Sequence, residues 1–337
     1  MTESRPARRR TFSRLQTGRR MPTEYEVVSS DLHYNYPQKF ELGPGNPVAD
    51  WYYRYREGSR LQAADWGLFA DPRATTYRSY NELQDGKETV VDGLLRQIDA
   101  TGYDDRLGEG WINFVQRWYA PLRFPAHALA MLSAYVGQMA PDSRITNCAS
   151  FQAADEMRRL QRMAYRTAQL HAHRGGRNPT EDVRIWEEVE AFQPLRELLE
   201  RALVAYDWGE AFIVTNVVVK PHFDRLVNVE LAGVLADANG DTLLRDIHFS
   251  LDEDARWHRA WTRSLIQHAL SERPDNVEVV AGWIGSWRPL ASEAVGALAR
   301  AMSTAPTPLD ATGVQERVAA SVSDDLAAVM EITAARS

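Results

Sequence analysis

The sequence predicts an all-α fold: a bundle of long helices preceded by an extended, irregular N-terminal arm. Three observations carry that expectation. From about residue 88 almost to the end, apolar residues recur with a helical period. Convincing alternation of apolar and polar residues is absent; the strand-like valines at 217–219 are too few to seed a sheet and sit in an apolar helical context. The periodic segments are also long. One spanning 144–173 would measure about 45 Å, and elements of that length favour a bundle over shorter, crossed helices.

The arm comes first. Residues 1–80 are broken by Pro37, Pro44 and Pro47 and by Gly43 and Gly45. Their aromatics, Tyr34, Tyr36, Trp51, Tyr52, Tyr53 and Tyr55, keep no sustained period. A long irregular segment rich in aromatic rings needs a surface to lie on, its own domain or another subunit. The run DPRATTYRSYNELQDGKE (71–88) leads into the first long helix. Helices are then expected near 88–102, 109–120, 125–140, 144–173, 181–206, 208–220, 223–238, 241–272, 275–303 and 313–335. Pro121 and Pro125 should break or kink the second from the third. Pro221 should end the 208–220 helix, and Pro274 should separate the next pair. The expected organisation is an arm over 1–80 that docks on a partner, a helical domain over 81–303, and a linker with a last helix over 304–337.

Composition narrows the function. The chain has 337 residues, 44% of them hydrophobic and 25% charged, with a net charge of −7. That balance argues against nucleic acid as the main partner. A single cysteine, Cys148, excludes an internal disulfide, a paired-cysteine zinc site and a four-cysteine iron–sulfur cluster, and fits a reducing cytoplasm. The most apolar stretch, 126–140, carries His127 and Gln138 and is shorter than the roughly 20 residues a membrane span needs. The first 20 residues hold seven arginines without an apolar core, so they do not read as a secretory signal. A solvated basic tail, a docking arm for an acidic partner, and contact with nucleic acid or membrane are the readings open to them.

Familiar catalytic motifs are missing. Residues 85–88 (DGKE) lack the upstream glycine and the following Ser/Thr of a phosphate loop, the Gly43/Gly45 pair lacks a third glycine, and Ser286 has no nucleophile elbow. His171 and His173, two apart, read as a solvated helix end, and Cys148 as a small apolar residue within a helix. The informative helix is 144–173. Ala149, Ala153, Glu156, Leu160 and Met163 follow a 4-3-4-3 spacing, one seam of a bundle, so Glu156 points inward. A buried carboxylate needs a partner. In a bundle that partner is often a metal, held with a His three residues on. Here Arg159 stands in that place, and no Glu anywhere in the chain is followed by a His three residues later. Arg cannot ligate a metal. Arg159 is therefore expected to replace the metal charge beside Glu156, with an ordinary surface pair as the alternative.

Longer stretches carry a more specific signal. PTEYEVVSSDLHY (22–34), DPRATTYRSYNELQDGKE (71–88), SAYVGQMAPDSRITNCASFQAADEMRR (133–159), AYDWGEAFIVTNVVVKP (205–221) and WHRAW with HAL (257–270) resemble, in order, the β subunit of the hydroxylase of bacterial multicomponent monooxygenases, the toluene/alkene type most of all. The resemblance implies a ferritin-like helical bundle, akin to the ribonucleotide reductase small subunit, in which this subunit is a copy of the catalytic α bundle with its di-iron site lost. Laying the α ligand pattern on this chain puts the first lone Glu at or near Ala134 and the first Glu-x-x-His on Glu156 and Arg159. The second lone Glu falls near Gly209 or Glu210, and the second Glu-x-x-His on Ala255 and His258. His258 is expected to be packed or interfacial.

The resemblance further implies a non-catalytic structural role in an enzyme that hydroxylates or epoxidises an aromatic hydrocarbon or alkene with O₂ and NADH. No catalytic, cofactor or metal residue is expected in this chain. The di-iron centre would lie in the α subunit, with a Rieske iron–sulfur ferredoxin and an FAD reductase supplying electrons. Partners would be α and a small γ subunit, two copies of each, and an effector protein. A stand-alone ferritin-like metalloprotein and an unrelated helical scaffold are the alternatives.

Overall fold

A computed structural model describes residues 20–30, 47–176 and 179–330, and every regular element among them is helical. Two short helices, α1 (Glu24–Ser30) and α2 (Pro47–Tyr52), precede the first long one, α3 (Tyr77–Thr101). α3 begins eleven residues earlier than the periodicity suggests. Thr76 caps it by accepting from the Ser79 amide, and the Ser79 hydroxyl bonds back, which closes both ends of a capping box. Gly102, at φ 58°, ends it in the left-handed region where glycine is favoured.

The bundle core is two helical pairs. α4 (Glu109–Phe114) runs through a wider π turn and a 3₁₀ turn into α5 (Arg123–Met139). Pro121 thus changes the helix type without interrupting it. Pro125 sits in the first turn of α5, where its missing N–H has no intrahelical role. α5 folds back along α6 (Ser143–Arg174), which Asp142 caps through the Arg144 amide. The expected helix over 181–206 is two, α7 (Asp182–Glu188) and α8 (Gln193–Ala202), parted by extended backbone at Val189.

The second pair departs most from expectation. α9 (Trp208–Ile213), α10 (Lys220–Asp224) and α11 (Ala236–Ala238) form one uninterrupted helical run, joined by π segments Val214–Val219 and Arg225–Leu235. Pro221 lies inside it and does not end a helix. The Lys220 amide reaches back to the Thr215 carbonyl, a π-type bond, and the His222 ring bonds the Val218 carbonyl at 2.7 Å. α12 (Thr242–Glu272), capped by Asp241, returns along this run. α13 (Asn276–Met302) and α14 (Ala311–Met330) close over it.

Two large apolar clusters fill the ends of the bundle, one around Trp111, Tyr119, Phe192 and Phe223, the other around Trp208, Phe212, Trp261 and Trp283. Cys148 is buried in the second, and burial raises its thiol well above the ordinary range.

Where described, the N-terminal 80 residues lie on this chain's own bundle. The Tyr25 hydroxyl accepts from the Asp71 amide at 3.0 Å. Trp51 packs on Tyr55 and Tyr206, and Leu61 and Phe69 enter the second cluster. Residues 1–19 and 31–46 of the expected arm, and 331–335 of the expected last helix, lie outside the described residues. No described helix is long and apolar enough to cross a membrane.

Candidate functional site: the charged centre of the bundle

Between the two apolar clusters, α6 turns from Ile145, Cys148 and Ala149 to Gln152, Glu156 and Arg159 before returning to Met163. The polar residues stay on the buried face, so their partners come from other helices. Lys220 ion-pairs with Glu156 and lies 3.3 Å from Asp224, while the Arg159 guanidinium is 2.6 Å from Asp224 and 3.4 Å from Glu156. None of the four side chains is more than 3% exposed. Two anions and two cations therefore neutralise one another away from bulk solvent. Burial raises the Asp224 carboxyl, but the Arg159 and Lys220 charges outweigh it and hold it below the ordinary range. For Arg159, burial works against the charge, and Asp224 and Glu156 more than offset it.

His258, on α12, adjoins this quartet, with Nδ1 4.0 Å from Glu156. Its Nε2 lies 2.9 Å from Asp155. Burial pushes its pKa well down, and Lys220 and Arg159 push it further. Asp155 also accepts from the Tyr80 hydroxyl and the Gln84 amide of α3, each at 2.7 Å. Burial, then Asp254, raises its carboxyl well above the usual range. A second buried ion pair flanks it: Arg158 donates to Asp254 at 2.6 Å and to the Ser250 hydroxyl at 2.8 Å.

Neutral layers lie on either side. Gln152 joins Ser133, Asn216 and Trp261, and Asn216 donates to Thr262. Beyond the other end, His248 bridges Tyr119 at 2.8 Å and Asn228 at 2.9 Å.

Of the positions singled out from sequence, Glu156, Arg159 and His258 meet at this centre, and Ala255 is buried one turn before His258. Three others do not. Ala134 is exposed on α5, and its neighbour Ser133 is the residue facing in. Gly209 and Glu210 sit at the start of α9, ten residues or more before Lys220, or about 15 Å along a helix. Glu210 there accepts from the Trp287 indole at 2.9 Å. Gly209 leaves room for the incoming 59–61 segment, since a Cβ would stand 2.6 Å from that of Leu61. The helix expected to end at Pro221 runs on through it, and Lys220 and Asp224, one turn apart, share its buried face. A signal was present: Lys220 and Asp224 are four apart just after the mostly apolar run 211–219.

A long-helix bundle of two antiparallel pairs, its central layer filled by salt-bridged side chains, is a ferritin-like bundle. Comparison with known proteins makes the assignment specific. Residues 51–273 match the Methane/Phenol/Alkene Hydroxylase family. The chain is 43% identical over 299 residues to the toluene-4-monooxygenase system hydroxylase component subunit beta of Ectopseudomonas mendocina, covering 88% of this chain and 91% of that one. It is 24% identical over 309 residues to the propane 2-monooxygenase hydroxylase component small subunit of Rhodococcus jostii, covering 87% and 81%. Among solved structures, toluene 4-monooxygenase with toluene bound in its resting active site superposes with a TM-score of 0.81 and 42% identity, over 84% of this chain and 95% of that one. Xenon-pressurised phenol hydroxylase from Pseudomonas sp. OX1 shares the fold, with a TM-score of 0.84 at 20% identity over 98% and 97%. The chain belongs to the methane/phenol/alkene hydroxylase family.

The family implies a di-iron group, and the residues present decide whether this chain could hold one. A di-iron carboxylate bundle draws on two Glu-x-x-His pairs and two further carboxylates. Here the centre offers Glu156, Asp224 and one His, with two fixed cations among them. Among the described residues no group of three or more His, Cys, Asp or Glu is placed to hold a metal ion. The donor set does not fit.

Proposed function

We propose that this chain is the non-catalytic β-type subunit of a monooxygenase hydroxylase that oxidises an aromatic hydrocarbon or alkene, with the di-iron centre carried by its α partner. One observation supports this above others. The layer where a catalytic bundle would place ligands is filled by the Glu156, Arg159, Lys220 and Asp224 quartet. Extensive identity to a hydroxylase component subunit beta supports the subunit role.

In this reading the chain's residues perform no chemistry on substrate. They hold shape. α6 is cross-linked by buried ion pairs to α10 and α12, which makes a stiff wall for a partner to rest on. The outer face of α5 and α6 supports such a partner. α5 carries no charged residue after Arg123, and Met131, Met157 and Tyr165 are exposed there. The proposed assembly is two copies each of α, β and γ in the cytoplasm, served by an effector protein, a Rieske ferredoxin and an FAD reductase. Residues 1–19 and 31–46 would reach onto α.

The test is elemental analysis of the purified chain alone and of the hydroxylase assembled with α. The expected result is no stoichiometric iron and no hydrocarbon oxidation for the chain alone, with iron appearing in proportion to α. Two irons per isolated chain would overturn the reading and favour a stand-alone metalloprotein.

A further inference from the structure

α12, the α9–α11 run and α14 leave a cleft between them of about 310 Å³, counting its open mouth, a size at the low end of small-ligand sites. Arg259 and Arg263, one turn apart on α12, both line it. Neither guanidinium is saturated. Arg263 Nε is buried and has no hydrogen-bond partner. Arg259 meets Asp252 only at 4.0 Å, and Asp252 is already held by Arg256 at 3.2 Å. The single carboxylate in the lining is Asp325 on α14. Both guanidiniums pull its pKa down, yet burial outweighs them and leaves it raised. Two guanidiniums against one carboxylate leave the cleft with an excess of positive charge. Its remaining wall is largely apolar, with Val217, Leu326 and Val329. Asn216 and Thr262 also line it but are bonded to each other, so the arginines are the donors left for a ligand.

We propose that this cleft binds a small free monocarboxylic acid as its anion, the carboxylate between Arg259 and Arg263 and a short apolar body against Val217, Leu326 and Val329. A single negative charge balances the excess. A guanidinium suits a carboxylate because its planar fork of N–H donors matches the two oxygens. A phosphate dianion would overshoot the charge and bring its surplus up against Asp325. A neutral hydrocarbon would leave the buried Arg263 Nε unpartnered, at the cost of its desolvation. No chemical step is involved, and the acid binds and leaves unchanged. Asp325, Leu326 and Val329 all belong to α14, so a bound acid ties that helix to α12 and stabilises its docking.

The experiment titrates sodium benzoate into the full-length chain by calorimetry, with benzamide as a neutral counterpart of the same shape. Benzoate should bind at a single site and raise the melting temperature, and benzamide should do neither. Arg263→Gln should weaken benzoate by about tenfold or more, the loss of a hydrogen bond to a charged group. Asp325→Asn removes the competing negative charge and should tighten it several-fold. Side chains that only support the fold would not move affinity in opposite directions. In the hydroxylase assembled with α, benzoate should bind as it does to the chain alone. Absence of benzoate binding, equal binding of benzamide, or unchanged affinity in an Arg263→Gln chain of native circular dichroism overturns the inference. So does loss of binding on assembly, because the cleft would then face a partner subunit. Should Arg263→Gln fail to fold, Asp325→Asn decides alone, and affinity that is unchanged or weaker overturns the inference.

Discussion

Each arginine on the inner side of α6 meets a carboxylate from a different element: Arg158 meets Asp254, Arg159 meets Asp224, Arg162 meets Asp92 and Arg166 meets Asp104. Such pairs owe their effect to being complete. Removing one partner strands a charge away from water, so Arg159→Ala should cost about 3–5 kcal/mol in urea unfolding. Lys220→Met alone should be similarly harmful, and Glu156→Gln with Lys220→Met much less so, because no charge of that pair is left behind. Arg201, in an exposed i,i+4 pair with Glu197, is the control, and its alanine variant should change stability by under about 0.5 kcal/mol. A cost that small for Arg159→Ala would contradict the buried geometry. His248 gives a pH signature. Burial, reinforced by Arg159, pushes its pKa down to about 3. The folded chain therefore keeps this ring neutral where the unfolded chain takes up a proton near pH 6.5. Its contribution to stability is present above that pH and is lost as pH falls from about 6.5 toward 3, by up to about 1.4 kcal/mol per unit. His248→Gln should flatten the melting-temperature profile over that window by about one proton. An unchanged slope would show that His248 is not the neutral group.

At the scale of elements, the run from α9 to α11 departs most from ordinary geometry. Its π segments carry Asn216 and Asn228, which reach the neutral layers on either side of the charges. Widened turns shift the helix face, and that brings Lys220 inward beside a proline. α14 is the other informative element. It lays Val314, Val318 and Val322 into the first apolar cluster, and Arg317 holds the fully buried Glu230 at 2.7 Å, with Arg225 on its other oxygen at 2.9 Å. A chain ending at Asp310 would uncover that surface. It should melt earlier and bind a hydrophobic dye, with the remaining helices retained. Unchanged melting would mean that α14 is only loosely attached.

For the whole molecule, two deletions separate what covers the bundle from what reaches beyond it. Removing residues 1–19 should weaken assembly with α and spare the melting temperature of the isolated chain. Removing 1–76 takes away Leu61, Phe69 and Asp71, whose carboxylate receives the Trp257 indole at 3.1 Å, and should lower that temperature. The arm expected to lie on a partner is, over 20–30 and 47–76, a lining of this chain's own bundle. The outer face of α5 and α6 has a test of its own. Met131→Glu with Met157→Glu should reduce pull-down by α with no change in circular dichroism, since both side chains are exposed in the single chain. Full retention of assembly would place α elsewhere.

Helix content, the inward direction of Glu156, the misfit of Arg159 to a metal, and the kinship with hydroxylase subunits were all legible in the sequence. They depend on periodicity and on residue chemistry, which are local. The start of α3 escapes such reading because its cap is a Thr76 and Ser79 exchange ahead of a polar turn-like run. The register of α9 to α11 escapes it because a proline ends a helix only where its neighbours need the missing bond. Tertiary structure alone decided which charges meet. Glu156 pairs with Lys220, 64 residues away, and His258 with Asp155, 103 residues away. The physical reason is that periodicity tells which face of a helix is buried, while the partner of a buried charge depends on how far one helix slides along another. That slide is set by the packing of both apolar clusters together, a property no single segment carries.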